Sequence, residues 1–314
     1  MSDFKLTTPV ALIIFNRPDT TERVFDEIAK AKPSKLLVVG DGPLAGRNGE
    51  ARKVAESRAI INKVDWPCEV LTNYSDVNLG CKIRVSSGID WIFEQVEEAI
   101  ILEDDCVPHQ SFFRFCQELL AMYRYDSRIG MICGTNKAFS VKHDTSYFYS
   151  RIPRIWGWAS WRRVWNNYEV DFNGYTEHGY IYNLINSFKL TKEGKHWVDV
   201  MEAVRKNKVD TWDAQVLHMV FRQSYLSIFP SGNLVSNIGF RKDATHTTNF
   251  ICEEANLKYI DIEFPLKHPT YFLPCYEADN INRKIDKINS HLNDLRKICK
   301  NFINYFINIF KRYG

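Results

Sequence analysis

The sequence holds eight cysteines, yet no two stand at C-x-x-C spacing. Neither a cysteine-rich zinc site nor a thioredoxin-like motif is indicated. No apolar run is long enough to cross a bilayer. The G-x-x-x-x-G-K-[ST], G-x-G-x-x-G and H-E-x-x-H patterns are missing, and so is the G-x-S-x-G elbow. A P-loop, a dinucleotide fingerprint, a zincin site and a serine-hydrolase nucleophile are thereby set aside. The opening MSDFKLTTPV has no charged segment followed by an apolar one, so no signal peptide is expected. Scattered thiols without export point to a reducing cytosol, which makes the Asn73-Tyr74-Ser75 sequon uninformative. A large charge surplus is lacking too. Lys+Arg number 41 against 38 Asp+Glu, a formal +3, too balanced for a generic nucleic-acid binder.

What the chain does have is length and apolar content. Its 314 residues are 45% hydrophobic and 14% aromatic, enough for a core without disulfide or metal staples. Disorder is not expected. The +3 conceals a split. Residues 281–314 carry eight basic side chains against two acidic ones, so this tail is +6 and the body before it −3.

The first half alternates short apolar runs with helical patterns. Residues 10–15, 35–39, 68–72 and 99–102 read as strands, the first and last as runs buried on both faces. Helices are predicted from Thr20 or Thr21 to Lys30, from Ala51 to Val64 and from Ile83 to Glu98, with Val24, Phe25 and Ile28 on one buried face. Such βαβαβαβ order predicts an α/β fold, a mostly parallel central sheet flanked by helices. Ligands of such sheets bind beyond the strands' carboxyl ends. Those positions hold Asn16-Arg17, Asp41 and the triplet Glu103-Asp104-Asp105. The second half is less regular, and residues 215–228 mix helical and strand signals. Residues 1–275 are expected to form one domain, with a nucleotide-binding half (1–106) and an acceptor-facing half (107–275).

The acidic triplet is the sharpest chemical feature. Three acids directly after a buried strand repel one another, and a hard divalent cation would relieve that repulsion. The competing reading is an acidic loop leading into a helix that Pro108 opens.

In order along the chain stand Asn16-Arg17-Pro18, Gly40-Asp41-Gly42-Pro43, Asn78-Leu79-Gly80 and Leu102-Glu103-Asp104-Asp105-Cys106. With these the sequence resembles GT-A-fold glycosyltransferases over roughly residues 8–250. It is most similar to bacterial sugar transferases of the N-acetylglucosaminyltransferase-I type. The triplet would be an EDD form of their DXD motif. The resemblance implies a Rossmann-like nucleotide-diphospho-sugar transferase fold and a Mn²⁺ or Mg²⁺ cofactor. Asp105 would ligate the metal, while Glu103 and Asp104 would contact the ribose or nucleotide. Asn16 and Arg17 would lie by the nucleotide, and Asp41 would accept a hydrogen bond from a pyrimidine N–H. Lys82 is a further nucleotide or phosphate candidate. For Arg17 and Lys82 a solvated surface cation is the rival reading.

Inverting transfer also needs a base near the acceptor hydroxyl. The family's acid at the start of a helix is matched best by Asp213, with Asp210 as competitor and simple helix capping as the bland alternative. Many such enzymes add a C-terminal histidine to the metal, and His246 fits by position; Asn237 and Asp243 would shape its loop. Between Arg151 and Trp165, Trp161 and Trp165 are expected in the core, and Trp156 and Trp158 near donor or acceptor. Gly157 suggests close backbone approach.

The expected activity is metal-dependent inverting transfer from a nucleotide-diphosphate sugar to a glycan or lipid-linked acceptor, in cell-surface polysaccharide synthesis. Two alternatives stand beside it. A sugar-phosphate nucleotidyltransferase would carry a Gly-rich loop where this chain has Asn16-Arg17-Pro18-Asp19. A non-enzymatic nucleotide-sugar-binding protein would not need Asp105, Asp213 and His246 together. In the tail, Ile281, Ile285, Ile288, Leu292, Leu295, Cys299, Phe302, Phe306, Ile309 and Tyr313 form a heptad seam on a basic amphipathic helix. It would pack on the body, pair in a homodimer, or bind an anionic membrane on the inner face of the cell membrane.

Overall fold

A computed structural model of the chain describes residues 4–138, 140–172, 179–187, 191–240, 257–282 and 284. The predicted α/β architecture is present. Four parallel strands, β1 (Val10–Ile14), β2 (Lys35–Gly40), β3 (Glu69–Tyr74) and β4 (Glu98–Glu103), follow the apolar runs. They alternate with α1 (Pro18–Ala31), α2 (Glu50–Ala59) and α3 (Gly80–Gln95). A short strand β5 (Cys106–Pro108) precedes α4 (Gln110–Tyr123) and β6 (Ile129–Cys133). Then come β7 (Tyr147–Ser150), β8 (Trp158–Trp161) and α5 (Arg162–Trp165). The described chain continues through α6 (Tyr180–Ser187), α7 (Thr191–Arg205), α8 (Asp213–Arg222), β9 (Leu226–Pro230) and β10 (Val235–Asn237).

Eight strands form one sheet in the order β3-β2-β1-β4-β8-β6-β9-β7. β8 and β7 run antiparallel to their neighbours; the rest are parallel to β1. From β1 the chain steps outward through β2 to β3, then returns across α3 to place β4 on the other side of β1. Right-handed crossovers put α1 and α2 on one face and α3 on the other. Accordingly α1 touches α2 and α4, whereas α3 touches α5. The direction of winding reverses between β1 and β4, so a crevice opens at their carboxyl ends.

One contiguous apolar cluster runs from Leu6 to Ala278, with both strand faces of β1 and β4 sealed. Val24, Phe25 and Ile28 of α1 are buried in it, as the periodicity requires. A smaller cluster joins Phe172, Met201, Val204, Ala214 and Leu217 under α7 and α8.

Several boundaries differ from the sequence reading. α1 begins at Pro18, with Arg17 as its cap residue, because proline is favoured at the first helical position. Thr20 and Thr21 lie inside the first turn, and their hydroxyls donate back to the Arg17 carbonyl oxygen. The helix predicted through Val64 ends at Ala59 and tightens into a 3-10 turn, Ile60–Lys63. α3 starts three residues before the predicted Ile83 because a carboxylate distant in sequence caps it, as described below. Pro108 closes β5 instead of opening a helix; His109 caps α4, its ring accepting from the Ser111 N–H. Trp161 and Trp165 are core residues as expected. Trp158, expected beside a ligand, is a correction: it is 1% exposed, stacked on Trp212 at 6.1 Å between ring centroids. Its inward position follows from the strand pleat of β8. The heptad tail beyond Lys284, with His246 and Asp243, lies outside the described residues. No described helix is long and apolar enough to cross a membrane.

Candidate active site

The crevice is built from the ends of β1 and β4. The Phe15 N–H donates to Asp104 Oδ2 at 3.1 Å, tying the two strand ends together. Arg17 reaches across from the start of α1, its guanidinium 2.8 Å from Asp105 Oδ2 and 3.7 Å from Asp104 Oδ1. Burial, opposed by Arg17 and reinforced by Asp105, pushes the Asp104 carboxyl up to about 7. Glu103 is raised well above the usual range by burial, then by Asp105, Asp104 and Asp213. Asp213, 110 residues further along the chain, is near enough to add to that rise.

Asp105 is held by the backbone of a returning segment. β10 pairs antiparallel with β5, matching Asn237 with Cys106, and the Ile238 N–H donates to the Asp105 carbonyl oxygen at 2.9 Å. Asn237 Oδ1 then accepts the Gly239 N–H at 2.8 Å. A Cβ on Gly239 would stand 2.0 Å from Asp105 Oδ2, so only glycine leaves this carboxylate in place. Gly157 likewise has φ +63° and space for no side chain, since a Cβ would meet Val235 at 2.7 Å. The close approach inferred for it is present.

Three other acids expected near the site have different surroundings. Asp41 is buried and accepts four N–H groups: Gly42 at 2.8 Å, Leu79 at 2.9 Å, Gly80 at 3.2 Å and the Asn78 side chain at 3.0 Å. A carboxylate has about four lone-pair sites. Asp41 is therefore spent on the Asn78-Leu79-Gly80 loop, and a base N–H would have to displace one of these donors. Burial still raises its pKa despite these bonds. Asp210 accepts the Cys81 and Lys82 N–H groups at 3.1 and 3.0 Å, capping α3 across 128 residues of sequence. Gly80 permits this at φ +79°. Asp213, three residues on, is exposed at the first position of α8 and accepts the Thr211 hydroxyl at 2.5 Å. Of the two competing acids, Asp210 is engaged at a helix terminus and Asp213 is exposed beside the cleft described below.

Cys81 registers the whole arrangement. Burial, then the charges of Glu103, Asp210, Asp213 and Asp41, push its thiol up. Asn16 donates to Glu50 Oε1 at 2.7 Å and so fixes the start of α2 to the β1 end. Lys82 Nζ lies 3.6 Å from Asp171.

Among the described residues no three His, Cys, Asp or Glu side chains converge as a ready metal cage. The donor chemistry nonetheless fits a hard cation. Carboxylate oxygens are suitable ligands, and burial, with the neighbouring carboxylates adding to it, raises Glu103 and Asp104, a cost that a divalent charge would relieve. Asp105, whose Oδ2 pairs with Arg17, would be the carboxylate to hold it.

Beside Asp213 opens a cleft of about 190 Å³ whose lining includes Lys137, Arg154, Ile155, Trp156 and Leu217. Trp156 stands edge-on to Phe240, centroids 5.5 Å apart, and Phe240 directly follows the glycine that abuts Asp105. Acid crevice and cleft are thus neighbours. Lys137 was not singled out by sequence because residues 129–133 were not read as a strand. Once they are, Lys137 lies four residues past the carboxyl end of β6, where ligand-facing residues are expected.

No family model and no curated protein matches the chain. Among solved structures, it is similar to 4-diphosphocytidyl-2C-methyl-D-erythritol synthase from Anaerococcus prevotii, at 12% identity and TM-score 0.34. That likeness covers 58% of this chain and 85% of the other. UDP-glucose pyrophosphorylase complexed with UDP-glucose is similar at 9% identity and TM-score 0.32, covering 51% of this chain and 79% of the other. Likeness at this level assigns no activity.

Proposed function

We propose that the protein is a metal-dependent glycosyltransferase, transferring a sugar from a nucleotide-diphosphate sugar to an acceptor hydroxyl with inversion. The observation that carries this reading is the nearness of two acidic segments: Asp213 lines a cleft whose Trp156 meets Phe240, the residue after the glycine that abuts Asp105. Asp105 stands at the β4 end, and Asp213 stands exposed at the head of α8.

In this reading Asp213 takes the proton of the acceptor hydroxyl, and the Thr211 hydroxyl, donating at 2.5 Å, fixes which carboxylate oxygen is offered. The hydroxyl oxygen attacks the anomeric carbon as the bond to the nucleoside diphosphate breaks. A Mn²⁺ or Mg²⁺ ion at Asp105 would supply charge neutralisation to that leaving diphosphate. Arg17, now on Asp105 and Asp104, gives the same crevice a fixed positive charge. Glu103 and Asp104 keep the β1 and β4 ends in register, and by resemblance His246 would be a second ligand of the ion. The acceptor is a glycan, free or lipid-linked, and the 281–314 tail would bring the enzyme to an anionic membrane or a second copy.

A screen of nucleotide sugars by thermal shift with Mn²⁺ tests this reading, since a true donor stabilises the folded state. Metal-dependent stabilisation by one donor, lost in Asp105→Asn, is expected. Pyrophosphate release from a nucleoside triphosphate and a sugar phosphate would overturn it in favour of nucleotidyl transfer.

A further inference from the structure

We propose that the open edge of β3 is a self-association surface. Two copies of this chain join their sheets there, β3 pairing antiparallel with β3 about a two-fold axis at Thr72. The proposal is independent of the reading of the crevice.

The two edges of the sheet are treated differently. At the β7 edge the chain covers its own backbone. The Cys275 N–H donates to the Tyr149 carbonyl oxygen at 2.7 Å, Pro274 bridges to Tyr149, and the Ser146 N–H donates to the Lys267 carbonyl oxygen at 2.8 Å. At the β3 edge, among the described residues, no strand pairs on the side away from β2. The Glu69 N–H donates to the Ser34 carbonyl oxygen and the Ser75 N–H to that of Gly40, so the odd-numbered residues of β3 bond to β2. Val70, Thr72 and Tyr74 therefore turn their N–H and C=O groups outward. Natural edges are blunted by lysine, proline or a bulge. β3 has none of these; it reads Glu-Val-Leu-Thr-Asn-Tyr, and its register with β2 is unbroken.

The same three residues face a groove. Their side chains form one wall, and α2 with the turn after it forms the other, leaving a space of about 880 Å³. The α2 wall includes Ala51, Ala55 and Ala59, exposed at four-residue spacing. Joining the two edges would set α2 of one copy beside α2 of the other over the continuous sheet. The short alanine side chains leave room for that approach.

A second copy is singled out because β3 matches its own reverse. With Thr72 on the axis, Thr72 faces Thr72 of the other copy and Val70 faces Tyr74. Each such pair exchanges both of its N–H···O bonds. Threonine beside threonine, and a β-branched residue beside an aromatic one, are favourable cross-strand neighbours. Charge agrees with the register. Glu69 is the one charged residue of β3, and Lys35 Nζ lies 2.9 Å from its carboxylate. It comes opposite Ser75 of the other copy, so no like charges face each other across the axis. The two-fold operation covers both edges at once and closes the assembly.

Sedimentation of the full chain at micromolar concentrations tests this. The wild type should sediment at twice the 36.7 kDa of one chain. Thr72 is exposed and its N–H is not used by β2, so its replacement spares the core and the ladder. Thr72→Pro should weaken self-association about 30-fold, the scale of two lost hydrogen bonds, with the far-UV circular dichroism of the wild type retained. Thr72→Lys and Thr72→Glu each place like charges opposite each other at the axis, and each should weaken it about fivefold. An equimolar mixture of these two variants should associate more tightly than either alone, because the axis then holds opposite charges. A monomeric wild type overturns the proposal. So does a mixture no tighter than its components, or a dimer of undiminished affinity in all three variants, which would belong to another surface such as the tail.

Discussion

The two halves of the sheet solve different problems. From β3 to β4 the strands are all parallel, joined by successive helices, and each loop is organised by an acid. Asp41 holds the 78–80 loop, and Asp104 ties β4 to β1. From β8 to β7 the strands mix directions and interleave in sequence, and the side chains aimed at the cleft are Lys137, Arg154 and Trp156. One half fixes its backbone with carboxylates and leaves Asp105 at its rim. The other brings Asp213 and the cations to meet it. The lesson is that an acid's neighbours, not its place in a motif, decide its job. Asp210 and Asp213 are three residues apart, yet one caps α3 and the other is exposed at the edge of the cleft.

Breaking that contrast should give its largest effect at Asp213. Asp213→Asn should lower kcat for sugar transfer by about 10²- to 10⁴-fold, the usual worth of a positioned base, with nucleotide binding by calorimetry unchanged. Asp105→Asn should lower turnover by about 10²- to 10³-fold and flatten its dependence on added Mn²⁺, because the charge facing the cation is gone. Next comes the opposite half. Asp41→Ala strands four donors, two of them backbone N–H groups of the 78–80 loop. It should cost about 3 kcal/mol in urea unfolding, near the upper end for a buried polar group left unsatisfied. Asp210→Ala removes only a helix cap and should cost about 1 kcal/mol, with the loss in stability exceeding any loss in kcat.

The smallest effect lies under α8. His218 is buried, and burial, then Arg222, lowers its pKa to about 4. An unfolded histidine titrates near 6.5. Below that pH the unfolded chain binds a proton that the native chain refuses, so His218 subtracts stability as pH falls from about 6.5 to 4. Asp104, raised to about 7, acts in the opposite direction, because its native state gains a proton first. The difference in Tm between wild type and His218→Gln, taken at pH 7 and pH 4.5, isolates the histidine. The wild type should lose more on acidification.

Much of the first half was legible because its structure is local. Val10–Ile14 and Glu98–Glu103 are apolar runs sealed on both faces, and periodicity alone marks them. The acids after β4 followed from the rule of strand ends. Asp213 at the head of a helix was legible as well. Less so were Asp41 and Lys137. Asp41 carries the signature of a ligand-facing residue, and only the fold shows its oxygens taken up by residues 78–80. Lys137 depends on β6, which lies between β8 and β9, strands contributed by later segments of the chain. Trp156 and Trp158 look equivalent in sequence, but the latter is stacked on Trp212 in the core.

The sequence alone determined the alternating α/β order, the acidic triplet at the end of a buried strand, and the division between an acidic body and a +6 tail. These depend on apolar periodicity and on charge, which are written in local composition. Tertiary structure decided which acids face the crevice, that Gly239 must lack a side chain to leave Asp105 in place, and that Lys137 and Arg154 share a cleft with Asp213. Each of these needs segments up to 134 residues apart brought within contact by the pairing of strands, and no local pattern encodes that distance.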